Sequence, residues 1–275
     1  MGLLSVIVLA LFSMFDQTQK ALHTATAQVD LMEPGRSAMD LLTRDIERGR
    51  ATRFPGVTNL AITRLERTGP YSIPGVLDGY HRDSALNELF YLTPLRGNQW
   101  TAQGWFIADE TDPSLVPDAS KIGALYRFES TNVVALRGPF VTNDFSRQWL
   151  EFNRRSTNAL QFSRFLDGVV FFRTTSFSSE GLPLDSFVAP TNIPSGVVIT
   201  NFNASVGLTA FTNQALPTSL EVEFGMLPPR LLTQYRNLPS GTAPNATTIR
   251  SNFFVQHGGD VLLFRQRISL RTSLQ

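Results

Sequence analysis

The 275-residue chain has no cysteine. That absence excludes disulfides, thiolate zinc sites, iron–sulfur clusters and thiol catalysis. Lysine is nearly missing as well: of 24 basic residues only Lys20 and Lys121 are lysines. Set against 23 acidic residues they leave a formal charge of +1, so no net field draws the chain to nucleic acid or anionic lipid. The three histidines, His23, His81 and His257, lie far apart and share no metal-ligand spacing. Charged residues make up 17% of the chain, below the roughly 25% of an average soluble domain. Hydrophobic residues make up 42%, too many for a disordered chain. The length allows one large domain or two small ones with a substantial core.

A membrane-length apolar run is lacking too. Residues 3 to 15, LLSVIVLALFSMF, carry no charge over 13 positions. A helix of that length reaches roughly 20 Å, short of the roughly 30 Å hydrocarbon core. A cleaved secretory signal fits poorly, because no basic segment precedes the run and Ala25-Thr26-Ala27 lies well beyond it. Beyond it, Phe15, Leu22, Ala25, Val29, Met32, Met39, Leu42 and Ile46 recur at helical spacings as one stripe. Glu33-Pro34-Gly35 interrupts the stripe, and a kink is expected at Pro34. The pattern from Leu3 to Arg50 predicts a bent helix of roughly 70 Å, apolar first and amphipathic later.

After Arg50 the texture changes to short β-prone runs punctuated by Phe54-Pro55-Gly56, Gly69-Pro70, Pro74-Gly75, Gly138-Pro139 and Pro228-Pro229. Strands are expected at Leu60–Leu65, Glu88–Leu92, Trp105–Ile107, Ala124–Glu129, Gly168–Thr174, Leu220–Met226 and Val261–Leu270. The alternation of Leu220 to Phe224 predicts one buried and one wet face, and Arg265 to Arg271 alternates likewise. Val169 to Phe172 is apolar throughout, as in a strand covered on both sides. Asn132–Leu136 and Phe145–Phe152 stay open between strand and short helix. Asp109–Asp118, Ser178–Ser195 and Asn237–Asn245 are expected as surface excursions. The expected fold class is therefore α+β: a helix over residues 1–50 and a β-rich head over 51–275.

Three stretches together carry a resemblance: Leu3 to Phe12, then Asp16-Gln17-Thr18-Gln19, then Met39-Asp40-Leu41-Leu42-Thr43-Arg44-Asp45-Ile46. They resemble type IV pilins and the pseudopilins of type II secretion, the large J-type minor subunits in particular. They resemble more closely the prepilin-like cassette proteins of Verrucomicrobia-type bacteria, in which a strand like Leu220 to Phe224 leads to a proline turn and a helix. The resemblance is good over residues 3–50 and loose elsewhere. It implies a pilin-like head, and a structural role in a filament by helix–helix and head–head contacts. Leu3, Leu4, Val6, Ile7, Val8, Leu9, Leu11, Phe12 and Phe15 would form the membrane and filament helix, with Pro34 at its kink. The implied partners are other pilin-like subunits, the inner membrane and, given an upstream leader, a prepilin peptidase. The implied location is the bacterial inner membrane, single pass, with the head extracytoplasmic. The family's cleavage motif is missing before Met1, so Met1 is expected to lie inside the mature chain. Adding about ten residues would bring the apolar run to ~20, long enough to span a bilayer.

Leu22, Ala25, Val29 and Met32 form a face too far from the head to be buried by it, so a partner helix is expected to cover them. No catalytic set stands out: no G-x-S-x-G frames a serine, and a carboxylate pair cannot be chosen from scattered acids. Neither an enzyme, nor a cofactor, nor a nucleic-acid partner is expected. Asp109, Glu110, Asp112 and Asp118 offer oxygen ligands of the kind calcium takes, but without EF-hand spacing, so a solvated loop is expected. Trp100, Trp105 and Trp149 are expected in the core rather than on a sugar-stacking platform. The rival function is a single-pass anchored binding or adhesion protein that never polymerises.

Overall fold

The computed structural model describes residues 2–65, 73–74, 81–82, 86–96, 99–110, 122–130, 132–135, 141–154, 161–184, 193–203, 206–239 and 245–270. Its elements run α1 (Gly2–Glu47), β1 (Thr58–Leu65), β2 (Ile73–Pro74), β3 (His81–Arg82), β4 (Glu88–Pro94), β5 (Gln99–Asp109), β6 (Gly123–Glu129) and β7 (Val134–Ala135). They continue with α2 (Val141–Arg154), β8 (Phe162–Phe177), β9 (Pro183–Leu184), β10 (Val197–Asn203), β11 (Val206–Thr212), β12 (Ser219–Met226), α3 (Pro229–Arg236), α4 (Ala246–His257) and β13 (Leu262–Ser269). Nine strands form one row in the order β10-β11-β1-β4-β5-β6-β8-β12-β13, with β7 added on β5 and β9 on β8. Every pairing along the row is antiparallel.

The row curls into a half-barrel. Strand β8 pairs with β6 along its first part and with β12 along its second. Between these parts the register to β6 slips, and Gly168 sits at the slip with φ +70, a backbone region that favours glycine. The curl brings the lead into β4 against β8, although β5 and β6 lie between them in the row. Leu86 bridges Phe172 in parallel, and the Asn87 N–H donates to the Phe172 carbonyl at 2.8 Å.

Alternation along the strands fills both faces. Leu60, Ile62, Leu89, Tyr91, Trp105 and Ile107 point to one core, which Ala38, Met39, Leu42 and Ile46 of α1 cover. Ala61, Phe90, Leu92, Phe106 and Ala108 point to the other, which Phe145, Trp149 and Phe152 of α2 cover. Gly104 leaves room for the latter: a Cβ there would lie 2.5 Å from the Phe152 ring and 2.7 Å from the Leu89 carbonyl. A third cluster joins Val170 and Phe171 of β8 to Leu231, Leu232 and Tyr235 of α3 and Phe253 and Phe254 of α4. Arg250 stitches these helices, donating to the Pro239 and Leu238 carbonyls and to the Tyr235 hydroxyl.

The expected α+β class, a long kinked helix carrying a pilin-like head, is corrected. The structure is mostly antiparallel β-sheet, and the sheet rather than a helix sets its class. Helical backbone covers Gly2–Glu47, but the side chains described over the short stretch 11–19 and at residues 32–34, 36 and 37 are clear of the sheet's core. Further along, Ala38, Met39, Leu42 and Ile46 form a wall of the core, while Asp40, Arg44 and Glu47 stay exposed. The pattern misled because a helical stripe shows that a face is apolar without showing what covers it. The helix also continues through Pro34, so the proline does not end it.

Candidate functional site

The large apolar side chains of α1 that lie most open are clustered at its 11–15 stretch. Leu11, Phe12, Met14 and Phe15 are 62, 70, 67 and 62% exposed. Large apolar side chains this open, four within five residues, are unusual on a lone subunit. Of the remaining residues assigned to the membrane and filament helix, Leu3, Leu4, Val6, Ile7, Val8 and Leu9 have side chains outside those described. The same holds for Leu22, Ala25 and Val29 of the partner face, whereas Met32 is exposed. Among the described residues no helix is long and apolar enough to cross a membrane.

The other end of α1 is fastened firmly. Gly35 lies against the Phe264 ring of β13, so close that a Cβ would sit 2.1 Å from its Cζ. One turn further come Ala38, Met39, Leu42 and Ile46, all in the core. Asp45 shares their face and is 1% exposed. Arg127 of β6 donates from Nε to its carboxylate at 2.6 Å and from a terminal nitrogen to Glu129 at 2.8 Å. Desolvation alone would lower the pKa of Arg127, but the hydrogen bond and charge of Asp45 raise it above its ordinary value. An acid on an apolar stripe, seven residues after Ala38 and three after Leu42, was the available sequence signal for this anchor.

Beside this anchor Tyr91 is fully buried, and its hydroxyl accepts from Trp105 Nε1 at 3.3 Å. Burial, reinforced by the Asp45 charge, raises its pKa far above the ordinary tyrosine value. Because the folded pKa is raised, this contribution to stability is whole below the unfolded pKa of about 10 and is lost as pH rises above it. Alkaline denaturation of Tyr91→Phe should therefore show a shallower loss of stability above pH ~10 than the parent. Equal slopes would contradict this account.

The other candidate residues fall in structural roles or outside the description. Glu110 is held by Arg236 of α3 through both carboxylate oxygens, and its carbonyl accepts from Arg164. The Asp109 carbonyl accepts from Tyr126. The Glu110 carboxylate is thus tied to α3 and Asp109 is buried with its backbone bonded, while Asp112 and Asp118 lie outside the described residues. Among the described residues no group of three or more His, Asp or Glu could hold a metal ion. The side chains of His23 and His81 lie outside those described, and His257 contacts Asp260 at 3.1 Å. Trp100 and Trp105 are core residues, and Trp149 packs edge-on against Phe90 at 4.9 Å. No protein-family model, curated protein or solved structure matches the chain.

Proposed function

We propose that the chain is a structural assembly subunit, a minor pilin or pseudopilin, of a type IV pilus-like or type II secretion-like filament. The observation that carries this reading is the run Leu11, Phe12, Met14 and Phe15, open on a helix whose far end is locked into its own sheet. Burying each such side chain is worth roughly 1.5–3 kcal/mol, so the run favours any apolar cover over water. Lipid and sister helices both supply that cover, and a subunit can pass from one to the other without wetting the surface. The sheet body would then sit outside the inner membrane, meeting other subunits or cargo. An upstream leader would make the chain a prepilin-peptidase substrate.

The absence of cysteine provides a clean test. Phe15→Cys, expressed in the native host, puts a lone thiol on the exposed run. Oxidative cross-linking should yield dimers or adducts with other helix-first subunits, identified by mass spectrometry. A thiol that reacts with lipid-soluble maleimide yet never cross-links would sink assembly and favour the solitary anchored binder. The N-terminal residue of the native protein gives a second check. An N-methylated residue encoded upstream of Met1 is expected, and a soluble chain starting near Gln28 would overturn the reading.

A further inference from the structure

The curl of the sheet leaves a small cavity beside Asn87 and Thr174. Asn87, 2% exposed, donates from Nδ2 to the Thr174 carbonyl at 2.9 Å. A carbonyl only accepts, so the amide is oriented with its nitrogen toward Thr174 and its oxygen elsewhere. Among the described residues neither Asn87 Oδ1 nor the hydroxyl of Thr174, itself 5% exposed, has a hydrogen-bond partner. Leaving either unpartnered in the interior is costly, and the great majority of such groups are satisfied.

Both residues line one cavity of about 10 Å³. That is room for about one water. The chemistry narrows the occupant further. Oδ1 is an acceptor, so the occupant must donate and an anion is disfavoured. Arg64 shares the wall, no carboxylate is among the lining residues to hold a cation, and Ile62 and Leu184 supply apolar sides. We propose that the cavity is a structural water site. A single water donates to Asn87 Oδ1 and bridges to the Thr174 hydroxyl, tying the lead into β4 to β8 across the curl.

Oxygen-17 relaxation dispersion of water on the full chain in detergent tests this, because it counts long-lived waters independently of exchangeable hydroxyl protons. Thr174→Val should lower the dispersion amplitude by about one water per chain, whereas Thr174→Ser, which keeps the hydroxyl, should leave it unchanged. Leu184→Phe fills the cavity from its apolar wall without touching either polar group, and should show the same loss as Thr174→Val. An unchanged amplitude in Thr174→Val or Leu184→Phe, or a loss in Thr174→Ser, would overturn the proposal.

Discussion

Replacing Asp45 by alanine should cost roughly 3 kcal/mol and lower the thermal midpoint by roughly 6–12 °C for a chain of this size. Truncating one partner of a buried ion pair generally costs about 3–5 kcal/mol, because the other charge stays behind unpaired. The low end applies because Arg127 keeps Glu129 at 2.8 Å and about a fifth of its side chain reaches solvent. Thermal unfolding in detergent measures the shift. Hydrogen exchange should also show residues 38–46 losing protection more than β4 or β5, since Asp45 ties α1 to β6. The double variant Asp45→Ala, Arg127→Met should recover part of the loss by removing the stranded charge. A single variant as stable as the parent would show that Asp45 is not the anchor.

Gly35→Leu should be the most damaging change at the helix–sheet contact. Two opposite forces act at this position. Glycine in a helix costs about 1 kcal/mol relative to alanine, so side chains here gain helix propensity. Against that, a Cβ falls 2.1 Å from Phe264 Cζ, and that ring stacks on Phe224 at 5.1 Å and cannot swing freely. Overpacking of this kind costs typically 1–3 kcal/mol, and for leucine at such a distance we expect the top of that range or beyond. Gly35→Ala separates the two roles. Were Gly35 only a helix breaker, alanine would stabilise by about 1 kcal/mol. Docking against Phe264 predicts a net loss instead, read from the same unfolding curves.

The strands were legible where their apolar alternation is dense. Expected segments such as Leu60–Leu65, Ala124–Glu129 and Leu220–Met226 fall on β1, β6 and β12. The wet face expected for Leu220 to Phe224 was wrong: Glu223 is buried, opposite Arg173 on one side and Arg265 on the other. Alternation records polarity, and a charged face inside a wide sheet is covered by its neighbours. Phe145, Trp149 and Phe152 repeat at helical spacing, which could have decided α2. Strands β10 and β11 escaped because threonine and asparagine interrupt their apolar residues. Helix α4 escaped because its sequence, ATTIRSNFFVQH, has a β-prone composition that its packing on α3 overrides. Of the candidate surface, the exposed run was readable as apolar helix. The Asp45 anchor left one local trace, an acid on the apolar stripe, but its partner on β6 and the seat of Gly35 on β13 come from distant strands, which no local pattern names.

The contact between Gly35 and Phe264 joins segments that most of the chain separates. On the ribosome, α1 emerges early with its apolar face complete, while β13, its seat, is among the last described segments to be translated. Until then Ala38, Met39, Leu42 and Ile46 have no native cover from that strand. Synthesis therefore builds in a waiting period, during which that apolar face is a target for chaperones. Docking of α1 on β13 also closes a longer loop than any strand pairing in the row, and so is the natural brake on folding.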